Sequence, residues 1–138
     1  MIRPHRWAFA LLPLLLVGPL LSSPPEEPVT ALLPPPAGWA AEYDQVWQSC
    51  GQFAVAVPRH QFIDLRFYQV HAASPFHVRT PYLGTVEAEG FWEGDRIYLA
   101  TPMTRHALRH ELLHAQIGRA GHGLLFTRCL PAGEADGS

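Results

Sequence analysis

Six prolines fall between Pro24 and Pro36, in the stretch SSPPEEPVTALLPPP. Each fixes its own φ and removes a backbone donor, so no helix runs through the segment and it tends to stay extended. This makes residues 24–37 a linker or stalk and starts the folded unit near Ala37, leaving about 100 of the 138 residues to fold. A domain that small buries a limited core and usually leans on a covalent staple or a metal. The sequence offers a candidate for each.

Ahead of the linker runs MIRPHRWAFALLPLLLVGPLLSS, a basic lead at Arg3 and Arg6 followed by apolar residues from Trp7 to Leu21. Pro13, Gly18 and Pro19 interrupt a run already short of the about 20 residues that span a membrane comfortably. Residues 1–23 therefore read as a signal peptide, and the chain as exported: secreted, periplasmic or held in the cell envelope. No small-x-small cleavage site stands out, which leaves an uncleaved N-terminal membrane tether as the alternative. No cysteine follows the apolar run, so a lipoprotein is not expected. A net charge of -2 offers no clustered basic face, so no nucleic-acid partner is expected.

The candidate staple is Cys50 with Cys129, one near each end of the folded part. An oxidising compartment favours their pairing, and closing so long a loop would stabilise by about 4 kcal/mol. Two buried thiols are the alternative in a reducing compartment.

Between the cysteines the patterns alternate. GWAAEYDQVWQSCG sets Trp39, Tyr43, Val46, Trp47 and Cys50 at helical spacing with Gly51 as a stop. Period-two alternation predicts a strand from about Phe62 to His71, and GTVEAEGFWEGDRIYLAT reads as two strands around a Glu-Gly-Asp turn, Val86 and Ala88 on one arm, Ile97 and Leu99 on the other. ASPFHVRTPYLG, with its prolines, reads as loop. A second helix follows, capped by Thr101 or Thr104 with Pro102 in its first turn, and ended by Gly118 and Gly121. The expected fold is a small α+β domain over residues 38–131, with an N-terminal helix, a short antiparallel sheet and a second helix. Residues 132–138 form a flexible tail.

The candidate metal site lies on that second helix, in RHELLHAQIGRAGH, residues 109–122. His110 and His114 are four apart, so on a helix their imidazoles project from one face, matching two corners of a tetrahedral zinc site. Glu111, beside the first ligand, is angled towards water on the metal rather than at the metal, the place for a base that takes the water's proton. His122, just past a glycine-flanked break, is the expected third ligand, and Glu134 is its rival. His106 sits one turn before His110, where it either orients a ligand or is simply exposed. His60, His71 and His77 are scattered and expected to be solvated.

The sequence HELLH is similar to the signature of the zincin metallopeptidases. The wider set, WQSCG, DRIYLA, RHELLHA and GHGLLFTRC, resembles a group of small exported bacterial proteins described as metallopeptidases. The likeness spans about Tyr43 to Cys129. It implies a zincin-like domain, with His110, His114 and His122 holding Zn2+, Glu111 catalytic, and Cys50 and Cys129 paired. It also implies that the strand before the metal helix, Arg96 to Ala100, borders the substrate cleft. Read from the residues themselves, Tyr98 or Arg128 is a candidate for stabilising an oxyanion, the alternative for Arg128 being that it only flanks the disulfide. The metzincin pattern would want glycine at Ile117 and histidine at Ala120, and no convincing helix carries the glutamate of the gluzincin pattern.

The expected function is hydrolysis of a peptide or protein substrate by an exported zinc peptidase. The alternatives are a secreted binding module with a structural or vestigial zinc site, and a metal-free envelope protein with coincidental histidines.

Overall fold

The computed structural model describes residues 30–73, 76–80 and 84–130. The expected signal segment 1–23, the tail 132–138 and the rival ligand Glu134 lie outside those residues.

Among the described residues the strands and α-helices follow in the order β1 (Thr30–Leu33), α1 (Gly38–Ser49), β2 (Arg66–Ala73), β3 (Phe76–Thr80), β4 (Gly84–Ala88), β5 (Gly90–Glu93), β6 (Arg96–Thr101), α2 (Arg105–Ile117) and α3 (Leu124–Cys129). The α+β class is as expected. A four-stranded sheet runs in the order β1-β2-β6-β5, and β3 and β4 form a separate hairpin.

Several expectations change. The linker was to end at residue 37, yet Thr30–Leu33 inside it pair antiparallel with β2, Leu33 opposite Phe67. Prolines flank those four residues rather than interrupt them, so their backbone donors remain free for a ladder. The sheet is mixed rather than antiparallel, because β2 and β6 run parallel from Arg66 opposite Arg96 onwards. The segment read as loop supplies β3, which pairs with β4 from Phe76 opposite Ala88. Val86 and Ala88 therefore belong to that hairpin, and the partner of β6 is β5, with Gly94 at φ 61° in the turn between them. The strand expected from Phe62 begins at Arg66, after a 3-10 turn at Phe62–Asp64.

The helices pack on one face of the large sheet. Trp39 and Tyr43 of α1 meet Phe67, Ile97 and Leu99 of the sheet and Leu108, Leu112 and Ala115 of α2 in one buried cluster. Trp39 meets Phe67 edge to face at 5.0 Å. A second cluster gathers Val46, Cys50, Leu113, Ile117, Phe126 and Leu130 where α1, α2 and α3 converge. Every residue of α2 from Glu111 to Ile117 is buried, since sheet, α1 and α3 cover it from three sides. Even Gln116 is fully enclosed, its Nε2 donating to the Tyr43 carbonyl at 2.8 Å.

Cys50 and Cys129, the expected pair, are neighbours in the second cluster, both as thiols. Cys129 Sγ donates to the Ser49 carbonyl at 3.5 Å. Burial foremost, with the neighbouring Cys129 thiol, pushes the Cys50 thiol up to about 12.

Candidate metal centre

The site is set by how α2 starts and stops. Thr104, in extended conformation, caps the helix, its Oγ1 accepting from the Ala107 amide at 3.0 Å, while Pro102 stays outside. At the other end Gly118 adopts φ 68°, the left-handed turn that stops a helix cheaply only in glycine. The Arg59 amide donates to the Gln116 carbonyl at 2.7 Å, satisfying one of the helix's final carbonyls. From Gly118 the chain doubles back and brings His122 against the helix.

Three imidazoles converge there. The Nε2 of His110 and His122 are 2.9 Å apart, those of His114 and His122 3.0 Å, and those of His110 and His114 3.2 Å. A tetrahedral zinc bonded at about 2.0–2.1 Å to each of three nitrogens holds them about 3.3 Å apart, so the triangle needs to open by only a few tenths of an ångström. His114 Nδ1 faces the Arg119 carbonyl at 2.6 Å; a carbonyl only accepts, so that nitrogen carries the proton and Nε2 presents a lone pair to the triangle's centre. His110, His114 and His122 thus lie close enough to hold a metal ion.

The electrostatics agree. Burial foremost, then the neighbouring imidazoles, holds His110 down to about 3. Burial lowers His114 to about 4 although its bond to the Arg119 carbonyl works the other way. Both are neutral near pH 7, the form that binds metal.

The surroundings close the triad on two sides. Phe126 of α3 lies beneath all three rings, 4.8 Å from His110, 4.4 Å from His114 and 5.2 Å from His122. Trp92 of β5 stacks on His114 at 6.0 Å and 10°, its indole N–H tied to the Gly94 carbonyl at 2.6 Å. What stays open is a cleft of about 570 Å³ between α2 and residues 86–92, with the triad in its wall.

Glu111 lines the same cleft and is 5% exposed. Burial alone pushes its carboxyl up to about 8. It lies against the bare backbone of Gly90: a Cβ there would be 2.7 Å from Glu111 Cγ and 2.9 Å from Oε1. Glycine at 90 is what lets the carboxyl reach the cleft.

The structure brings together His110, Glu111, His114 and His122, the four expected site residues. It does not bring Tyr98 or Arg128 to the cleft; Tyr98 stacks on Tyr68 across the sheet at 5.1 Å and Arg128 is exposed on α3. Nor does the strand before α2 border it. β6 is an inner strand, and the edge strand β5 takes that position. His71 and His77 are exposed and do not line the cleft, although His77 lies 3.6 Å from Glu87, which does, whereas His60 is half-buried and packs against Trp92 at 6.3 Å. Gly90, Trp92, Phe126 and the Arg119 carbonyl had no sequence signal of their own beyond the glycine in EGFWEG. Compared with known protein families, curated proteins and solved structures, the chain has no match.

Proposed function

We propose that this chain is an exported zinc-dependent peptidase of zincin type, with His110, His114 and His122 as ligands and Glu111 as the catalytic base. The observation that carries the reading is the convergence of three imidazoles within 3.2 Å beside a buried carboxyl, at the wall of an open cleft. Zinc in the triad would supply Lewis acidity, polarising the substrate carbonyl and acidifying water. Glu111 then takes a proton from that water as its oxygen attacks the carbonyl carbon, and returns it to the amide nitrogen as the C–N bond breaks. Burial holds this carboxyl near 8 in the metal-free site, and a cation bound in the triad would favour its ionised, proton-accepting form.

Three protein ligands with a fourth direction facing the cleft support catalysis over a structural site, which closes on four. A peptide is the substrate that the edge strand suits. The Ala100 amide donates to the Glu89 carbonyl at 2.9 Å, so in the alternating ladder Gly90 and Trp92 turn their own amides and carbonyls away from β6. An extended peptide can pair with them and pass in front of the triad. Export rests on the leader segment. Among the described residues no helix is long and apolar enough to cross a membrane.

The test is zinc stoichiometry of the purified chain, with digestion of a peptide library with and without chelator. One zinc per chain and chelator-sensitive cleavage are expected, and Glu111→Ala should retain zinc while losing turnover. Native-rate cleavage by Glu111→Ala would overturn the mechanism, and a chain that holds zinc but cleaves nothing would favour the binding-module reading.

A further inference from the structure

Hydrolysis of an amide needs, besides a base, stabilisation of the carbonyl oxygen as it gains charge; zinc would supply part of it, and a hydrogen-bond donor adds to that. Tyr98 and Arg128 are away from the cleft, so the donor must come from elsewhere. Among the described residues that line the cleft, the side chains with an N–H are Trp92 and four histidines. Trp92 spends its N–H on the Gly94 carbonyl. His114 spends its own on Arg119, and His110 and His122 turn Nε2 into the triad, which leaves their N–H at Nδ1, on the far side of the ring from a carbonyl held at the triad. His106 is left. It is half-buried, and its ring nitrogens have no hydrogen-bond partner among the described residues.

Its position suits the task. Residues 106, 110 and 114 share one face of α2, a turn apart, so His106 extends the line of ligands along the cleft wall. Its ring is 6.1 Å from that of His110. A substrate carbonyl oxygen lodged between the triad and His106 lies within hydrogen-bonding reach of the latter after an ordinary rotamer adjustment.

Building on the peptidase reading, we propose that His106 is a further catalytic residue, donating a hydrogen bond to the scissile carbonyl oxygen as the tetrahedral intermediate forms. No proton changes hands in this step: the imidazole N–H remains on His106, while the proton from water travels through Glu111 to the leaving nitrogen. A neutral ring suffices, because its N–H donates without a second proton.

The experiment uses the zinc-loaded full chain with its best-cleaved peptide and, as a probe of the tetrahedral geometry, an N-phosphoryl dipeptide. For His106→Ala we expect kcat to fall about 100-fold, the scale set by loss of one oxyanion donor, with KM changed less than about threefold. Zinc affinity should be unchanged, and the phosphoryl dipeptide should bind at least about tenfold more weakly. His106→Asn, which keeps an N–H donor, should recover part of both. Native kcat in His106→Ala would overturn the assignment, as would a loss of activity that merely tracks loss of zinc. Should the wild type cleave nothing, the peptidase reading fails while calorimetry with the phosphoryl dipeptide still decides. Tighter binding by wild type than by His106→Ala keeps the oxyanion contact, whereas equal binding or none removes it.

Discussion

Replacing Glu111 by Gln changes an ionisable group into a near-isosteric neutral one in the most enclosed part of the cleft, and its consequence in the metal-free protein can be worked out. The folded carboxyl ionises near 8 against 4.5 for an unperturbed glutamate, because burial disfavours its charge. The folded state therefore holds this proton more tightly than the unfolded state. The resulting stability is fully present below about pH 4.5 and is lost as pH rises through 8. Glutamine has no proton to lose, so Glu111→Gln should gain on the wild type across that window. Each tenfold displacement of the ionisation is worth about 1.4 kcal/mol, which places the full gain on the order of 3 kcal/mol after allowance for relaxation of the site. His110 and His114 are present in both proteins and largely cancel in the difference. Urea unfolding in chelator at pH 5, 7 and 9 reads it directly: near equality at pH 5 and a more stable variant at pH 9. A difference that stays flat from pH 5 to 9 would refute the idea that this carboxyl is buried without a compensating partner.

Gly90→Ala places a methyl 2.7 Å from Glu111 Cγ and must push the carboxyl aside. Peptide hydrolysis should fall about 100-fold with zinc content unchanged, measured by assay and metal analysis on the same sample. His122→Ala leaves two ligands on one helix, and competition with a chromophoric chelator should show zinc affinity lowered by more than about 100-fold, the most that loss of a ligand's mere partner costs. On the acid side, the metal-free fold keeps protons off His110 and His114 down to about 3 and 4, whereas the unfolded imidazoles take them up near 6.5. Stability should therefore be lost progressively as pH falls below 6.5, and replacing His110 by Asn should flatten that loss in urea titrations.

The parts of this protein legible in its sequence are those written in local spacing. HELLH on a 3.6-residue period places two imidazoles on one face, and the glycines at 118 and 121 mark a return that presents His122. Trp39, Tyr43 and Val46 likewise announce the buried side of α1. What stayed hidden depends on partners far along the chain. TALL reads as part of a stalk until β2 offers it a neighbour, and FHVRT as loop until β4 does. The parallel match of β2 with β6 joins segments 30 residues apart, which no local period records. That pairing moves β6 inward and leaves β5 at the edge, which is why the strand beside the cleft was misplaced. Trp92 and Phe126 read as ordinary apolar residues until the fold sets them against the imidazoles. The two cysteines, far apart in sequence, meet in the same cluster.

The three imidazole donors all come from residues 110–122, the last two turns of α2 and the bend that follows them. Gathering them closes a very short stretch of chain, for which the entropic penalty is small. Were an ion bound here, its capture and the formation of this corner would be one local event, independent of whether the distant strands had yet found their neighbours. The sheet would then assemble against a helix whose terminus is already locked.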